Sequence, residues 1–68
     1  MRIKDLREDS DITQQQLAEY LHIKQNTYSP YENGNRQIPT DVLIALARYY
    51  NTSVDYLLGL ADQRKPYR

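Results

Sequence analysis

Four residues near the start of the chain, Thr13-Gln14-Gln15-Gln16, constrain its fold more than any other feature. A Thr followed three residues later by a Gln forms a capping box. The hydroxyl accepts the Gln16 backbone N–H, and the Gln16 side chain reaches back to the backbone N–H of Thr13. Ile12 before the box and Leu17 after it occupy the two positions of a hydrophobic staple, which fixes how the chain enters the helix. A helix therefore starts at 13, with Leu17, Ala18 and Leu21 on one apolar face. Only His22-Ile23-Lys24 separate it from the next helical segment. So short a connection forces two helices of two to three turns to cross tightly.

The remaining apolar residues keep the same period. Ile3 and Leu6 are one turn apart, and Leu43, Leu46, Ala47 and Tyr50 make a second apolar stripe. No segment alternates cleanly, so the chain reads as all-α. Thr40, between Pro39 and Asp41, reads as an N-cap, with the acid favouring the positive end of the helix dipole. Ser53, with Asp55, reads as another. Gly34, Asn51 and Gly59 stand where left-handed C-terminal residues are wanted. His22 falls at the turn, where φ is often positive and histidine is tolerated; it reads as a turn residue with no chemistry. The spacing predicts five helices at roughly 2–9, 13–21, 24–32, 40–50 and 53–58 in one compact domain over 1–60. A short basic tail, 61–68, is expected to be frayed. The second and third helices form a crossing of the helix-turn-helix kind.

Composition narrows the chemistry. Sixty-eight residues suit one small domain and give little scaffold for a catalytic cleft. Without cysteine there is no disulfide framework, and with His22 as the sole histidine no metal site or cofactor is expected. No apolar run is long enough to span a membrane, and a cytoplasmic location is expected. Asp5, Glu8, Asp9 and Asp11 cluster at the first helix and its exit, but nothing accompanies them as base, nucleophile or metal ligand. They read as a solvated acidic face, so an enzyme is not expected. Nine Lys and Arg balance nine Asp and Glu, which by itself argues against a nucleic-acid binder.

Local motifs argue the other way. The run Thr13 to Leu21, Ile23, the segment Gln25-Asn26-Thr27-Tyr28-Ser29, and Tyr31-Glu32-Asn33-Gly34 resemble the helix-turn-helix of the phage Cro/repressor family, the Xre-type regulators. Arg36-Gln37-Ile38-Pro39 continues the likeness. Asn51 to Gly59 is similar to the family's closing fifth helix, so the resemblance covers roughly 2–60. It implies a five-helix, lambda-repressor-like domain that binds double-stranded DNA and regulates transcription, more often as a repressor.

The residues themselves are compatible with that role. On the third helix Ile23, Thr27, Tyr28 and Tyr31 would face inward against Leu17, Leu21, Leu43 and Leu57, leaving Lys24, Gln25, Asn26, Ser29 and Pro30 outward. Gln and Asn amides can bond adenine N6 and N7 in the major groove, and residues near a helix N-terminus reach furthest into it. These five are the candidate base-reading set. The resemblance further implies that Gln14 grips a phosphate and that Asn33, Asn35, Arg36 and Gln37 form the matching clamp. Helix N-termini favour anions in any case, and such contacts set register rather than sequence preference. It also implies a partly buried ion pair between Arg7 and Glu32, bracing the third helix on the first.

Most such domains bind near-palindromic operators as homodimers. Tyr56, Leu60 and the end of the fifth helix are the expected dimer surface. Arg64-Lys65-Pro66-Tyr67-Arg68 could add a phosphate contact, or mark where a further C-terminal domain is cut away.

Two positions depart from the family pattern. Pro30, well inside the third helix, removes a backbone hydrogen bond and crowds the Asn26 carbonyl, so that helix is expected to be kinked or shortened. Either Pro30 is naturally tolerated, offering apolar contact to a thymine methyl, or the chain is an impaired variant of a better binder. Lys24 stands where Ser or Thr usually caps and cannot accept the amide proton. Zero net charge and Pro30 favour an alternative: a protein-binding helical module, an antitoxin or adaptor that kept the fold but not the DNA role.

Overall fold

The structure is a computed structural model and describes residues 1–62. Among them are five helices and no strand: α1 Ile3–Asp9, α2 Gln14–Tyr20, α3 Gln25–Asn33, α4 Thr40–Tyr49 and α5 Val54–Leu58. The all-α expectation and the five-helix division both hold. The expected frayed tail and its phosphate contact fall on 63–68, outside the described residues.

Local chemistry places most helix ends as expected. The Thr13 hydroxyl accepts from the Gln16 N–H at 3.1 Å, and Gln16 Oε1 accepts from the Thr13 N–H at 2.9 Å, completing the capping box. Ser53 caps α5 by accepting from the Tyr56 N–H at 3.1 Å. His22, Asn51, Gly34 and Gly59 all adopt positive φ, as their positions demanded. Asp11, in the turn between α1 and α2, is a further left-handed residue (φ 56°) that no sequence signal marked.

Two expectations require correction. Thr40 is not an N-cap: Pro39 is extended (φ −65°, ψ 151°) and holds that position, leaving Thr40 as the first helical residue without a side-chain cap bond. Proline's fixed φ suits either register, so residue types alone did not decide between them. The third helix is not shortened by Pro30. It runs nine residues to Asn33 and closes on left-handed Gly34. Pro30 cannot give Asn26 an N–H, but its own carbonyl accepts from Gly34, from Asn35 at 3.0 Å and from Arg36 at 3.3 Å. The loop thus ties off the last turn, while buried Tyr28 and Tyr31 anchor it on either side of the proline.

The core draws on every helix. Ile3, Leu17, Tyr28, Leu46 and Leu57 are its largest fully buried side chains, one from each helix in turn. Ile23, Leu21 and Val54 pack against it half-buried. Removing each such side chain from water contributes about 1.5–3 kcal/mol, and a chain this small needs all of them. Arg2 closes the ends of the domain on each other. Its backbone N–H reaches the Leu57 carbonyl at 2.8 Å, its Nε donates to the Tyr56 carbonyl at 3.0 Å, and its guanidinium lies 4.5 Å from the Tyr56 ring centre.

Candidate nucleic-acid interface

Helix α3 is the most polar of the long elements and carries Gln25, Asn26, Ser29, Pro30, Glu32 and Asn33 of the candidate residues. Gln25, Tyr28 and Glu32 lie on one stripe of it, three and four residues apart. Tyr28 is wholly buried. Glu32 has a side chain only 1% exposed, so its charge needs partners.

Arg7 is the first partner. Its Nε donates to Glu32 Oε2 at 2.7 Å and its Nη2 to Oε1 at 3.2 Å, a bidentate fork from α1 to the last turn of α3. Arg7 Nη1 also donates to the Ile12 carbonyl at 3.0 Å, holding the turn that leads into α2. Gln14, in the first turn of α2, is the second partner, with Nε2 donating to Glu32 Oε1 at 3.1 Å. The Tyr28 hydroxyl lies near enough to the carboxylate to lower its pKa, although its geometry does not complete a hydrogen bond. Burial pushes the Glu32 carboxyl up. The bonds from Arg7 and Gln14, the nearby Tyr28 hydroxyl and the Arg7 charge outweigh burial, leaving the pKa below the ordinary value. The same pairing raises Arg7. Burial and the neighbouring carboxylate hold the Tyr28 phenol far above its usual range.

The network continues outward. Gln14 Oε1 accepts from Gln25 Nε2 at 3.5 Å, a long bond at the exposed start of α3. Gln25, Lys24 and Asn26 are exposed and line one shallow depression with half-buried Ser29. Pro30 follows on the same side, also half-buried. Lys24 makes no side-chain cap bond, as its chemistry required, and its ammonium is unconstrained by the helix it precedes. Asn33, Asn35, Arg36 and Gln37 are exposed in and beside the loop after α3. Gln14 is half-buried, with both ends of its amide engaged. Its backbone N–H, at the first position of α2, has no intrahelical partner and remains available to an anion.

Sequence reasoning identified the Arg7–Glu32 pair but missed the Gln14 bonds that join it to Gln25. Glutamine at the first position of a helix is common for unrelated reasons, so nothing local marked it. The four acids of α1 and its exit are exposed. Among the described residues no group of His, Asp and Glu could hold a metal ion.

A family model described as helix-turn-helix matches residues 3–57. The chain belongs to the helix-turn-helix family. It is 43% identical over 65 residues to the uncharacterized HTH-type transcriptional regulator YobD of Bacillus subtilis, covering 96% of this chain and 58% of that protein. It is 45% identical over 64 residues to the HTH-type transcriptional regulator ImmR of the same organism, covering 94% of this chain and 50% of ImmR. The cryptic phage CTXphi transcriptional repressor RstR of Vibrio cholerae is 30% identical over 58 residues, covering 85% of this chain and 52% of RstR. The chain thus spans about half the length of the relatives it matches. No solved structure matches it.

Proposed function

We propose that this chain is the DNA-binding unit of a sequence-specific transcriptional regulator, acting as a repressor, with α3 as the element that enters the major groove. The observation that carries the reading is Gln25. It stands exposed at the head of α3 on a bonded chain that runs through Gln14 and Glu32 to Arg7. A packed helix face does not need its first amide held from a buried carboxylate; a reader of base edges does, because a bidentate bond to a base depends on side-chain orientation. Lys24, Asn26, Ser29 and Pro30 complete the base-facing set. Gln14, through its backbone N–H and its second amide hydrogen, contacts phosphate with Asn33, Asn35, Arg36 and Gln37.

The regulator binds a near-palindromic operator as a homodimer, with half-sites about one helical turn (10–10.5 bp) apart. Leu60, 76% exposed, and Leu58, 37% exposed, supply an apolar dimer surface at the end of α5. Tyr56 contributes only its edge, because Arg2 covers its face. Repression follows from occupancy of the operator, which needs no further surface. The relatives named above are bacterial or phage regulators, and a cytoplasmic location follows from the DNA they would share it with. No helix of the described residues is long and apolar enough to cross a membrane.

Selection from a random-site DNA library at two salt concentrations tests this reading. The expected result is an enriched, near-symmetric site. With Lys24 and Arg36 as the cations on each protomer's face, the logarithmic salt slope should be near −4, shallower than for a strongly basic binder. No enriched sequence, together with a stoichiometric protein partner in a pull-down, would replace the proposal with the protein-binding module.

A further inference from the structure

Arg2 holds the backbone on both sides of the exposed leucines that end α5, and its consequence rests on the reading of those leucines as the dimer surface. Helix α5 has five residues, too few to hold itself together, and its last carbonyls have no partner within it. Two bonds close its end locally. The Leu60 N–H donates to the Asp55 carbonyl at 2.8 Å, and the Gly59 N–H to the Tyr56 carbonyl at 3.1 Å. The others come from the start of the chain. The Arg2 N–H donates to the Leu57 carbonyl at 2.8 Å, and Arg2 Nε donates to the Tyr56 carbonyl at 3.0 Å. Arg2 Nη2 then reaches past the turn to the Ala61 carbonyl at 3.4 Å. One residue thus grips the backbone at 56–57 and again at 61, with Leu58, Gly59 and Leu60 between. We infer that Arg2 is a positioning residue for self-association: it holds Leu58 and Leu60 in the arrangement that a second copy of the chain meets.

What Arg2 fixes is the outer part of this segment, because hydrocarbon already fixes the inner part. Leu57 is wholly buried and seats α5 on the core, whereas Leu60 is too exposed for packing to hold it. Gly59, left-handed at φ 81°, turns the chain sharply between them. A leucine on a loose segment surrenders backbone and side-chain freedom when it pairs, and one already held surrenders little. In a twofold contact the same patch is used by both copies, so the saving counts twice. The guanidinium also lies 4.5 Å from the Tyr56 ring centre, a cation–π contact that ties its own position to α5. The 3.7 Å pair with Asp62 contributes little, since the Asp62 side chain is fully exposed.

Sedimentation equilibrium up to millimolar concentration tests the inference, together with binding to the selected operator and to one isolated half-site. The proteins are the unsubstituted chain, Leu60→Asp, Arg2→Met, Arg2→Lys and Ser53→Ala. Leu60→Asp should abolish the dimer in solution and the coupling between half-sites. If it changes neither, or the unsubstituted chain shows neither, the dimer surface itself is wrong and the inference falls with it. Arg2→Met should weaken dimerisation, and the half-site coupling with it, by about tenfold or more, while affinity for a single half-site is unchanged. Ser53→Ala removes the cap from the other end of the same helix and should leave the dimer in place. Dimerisation unchanged by Arg2→Met, or weakened as much by Ser53→Ala, would overturn the inference; the second result would mean that pairing follows the stability of α5 alone. Arg2→Lys keeps the cation but not the fork, and serves if Arg2→Met fails to fold. Its dimer should be weaker by about threefold or more, and its Leu60 N–H should exchange with solvent faster than in the unsubstituted chain. Parental values of both would also overturn it.

Discussion

Helices α3 and α4 lie next to each other in the chain and are held by opposite means. Helix α4 is fastened by hydrocarbon: Leu43, Leu46 and Ala47 are buried along one stripe, and no side-chain bond caps its start. The hydrophobic residues that helix α3 buries are two tyrosines, and its remaining anchors are polar: the Arg7 fork, the Gln14 bond and the loop N–H groups on the Pro30 carbonyl. Apolar packing is strong but indifferent to small rotations of a helix about its axis. A bidentate ion pair with a shared amide is less forgiving, since bonds at 2.7–3.2 Å are lost by shifts that leave a leucine in contact. The element whose orientation would decide base recognition is the one held by directional bonds.

Two substitutions separate these modes and carry the largest expected effects. Glu32→Ala strands the Arg7 guanidinium and should cost about 3–5 kcal/mol, enough to unfold most of a domain this small. Leu46→Ala, at a position wholly buried, should cost about 2–5 kcal/mol. Denaturant titration gives both numbers. The comparison sharpens in protein kept folded by stabilising co-solvent. There Leu46→Ala should bind the selected operator as the parent does, whereas the Glu32 variant should bind it more weakly and with poorer discrimination. Equal binding by the two variants would break the distinction between the two helices.

The next test is acid. Folding lowers the Glu32 pKa, so its contribution is fully present above the ordinary carboxylate value of 4.5 and is lost as pH falls through the lower folded value. Thermal melts should therefore show Tm falling below about pH 4.5. The double variant Arg7→Met with Glu32→Met should show a flatter profile over that window. Parallel profiles would mean that the exposed acids of α1 dominate acid unfolding instead.

Pro30 comes third. The chain achieves a full-length α3 with a proline in it, so the cost is confined to one missing N–H and crowding at the Asn26 carbonyl. Pro30→Gln should raise stability by about 1–3 kcal/mol. Operator affinity should rise too, because glutamine adds a donor and an acceptor to the base-facing set. If neither quantity moves, the loop bonds to the Pro30 carbonyl have already compensated for the proline.

These residues also show what a sequence displays and what it hides. Thr13, Ser53, His22, Gly34, Asn51 and Gly59 were legible because each acts within three or four residues of itself, on its own backbone. The Arg7–Glu32 pair spans 25 residues and was reached only through resemblance to a family. The Gln14–Glu32 bond spans 18 residues, and the Arg2–Tyr56 bond spans 54. Neither has a local signature, since the tertiary fold creates the partner. The shortening expected of Pro30 fails for the same reason: helix propensity foresees the lost bond but not the loop N–H groups that fold back onto the proline carbonyl.

The smallest expected effect isolates the most local of these distinctions. Thr13 and Thr40 are the same residue type, each beside a helix start and each followed by a polar residue. Thr13 sits outside its helix with φ −84° and ψ 161°, and its hydroxyl takes the Gln16 N–H. Thr40 sits inside, one residue past the extended Pro39, and its hydroxyl takes no N–H of the first turn. Thr13→Ala should cost about 1 kcal/mol. Thr40→Ala should be neutral to slightly stabilising, because alanine is the better residue within a helix. If Thr40→Ala costs as much as Thr13→Ala, the N-cap belongs to Thr40 after all and α4 begins one residue later. That register would turn the Leu43, Leu46 and Ala47 stripe relative to the cap but leave its seat in the core unchanged, which is why only the cap chemistry, and not burial, can decide it.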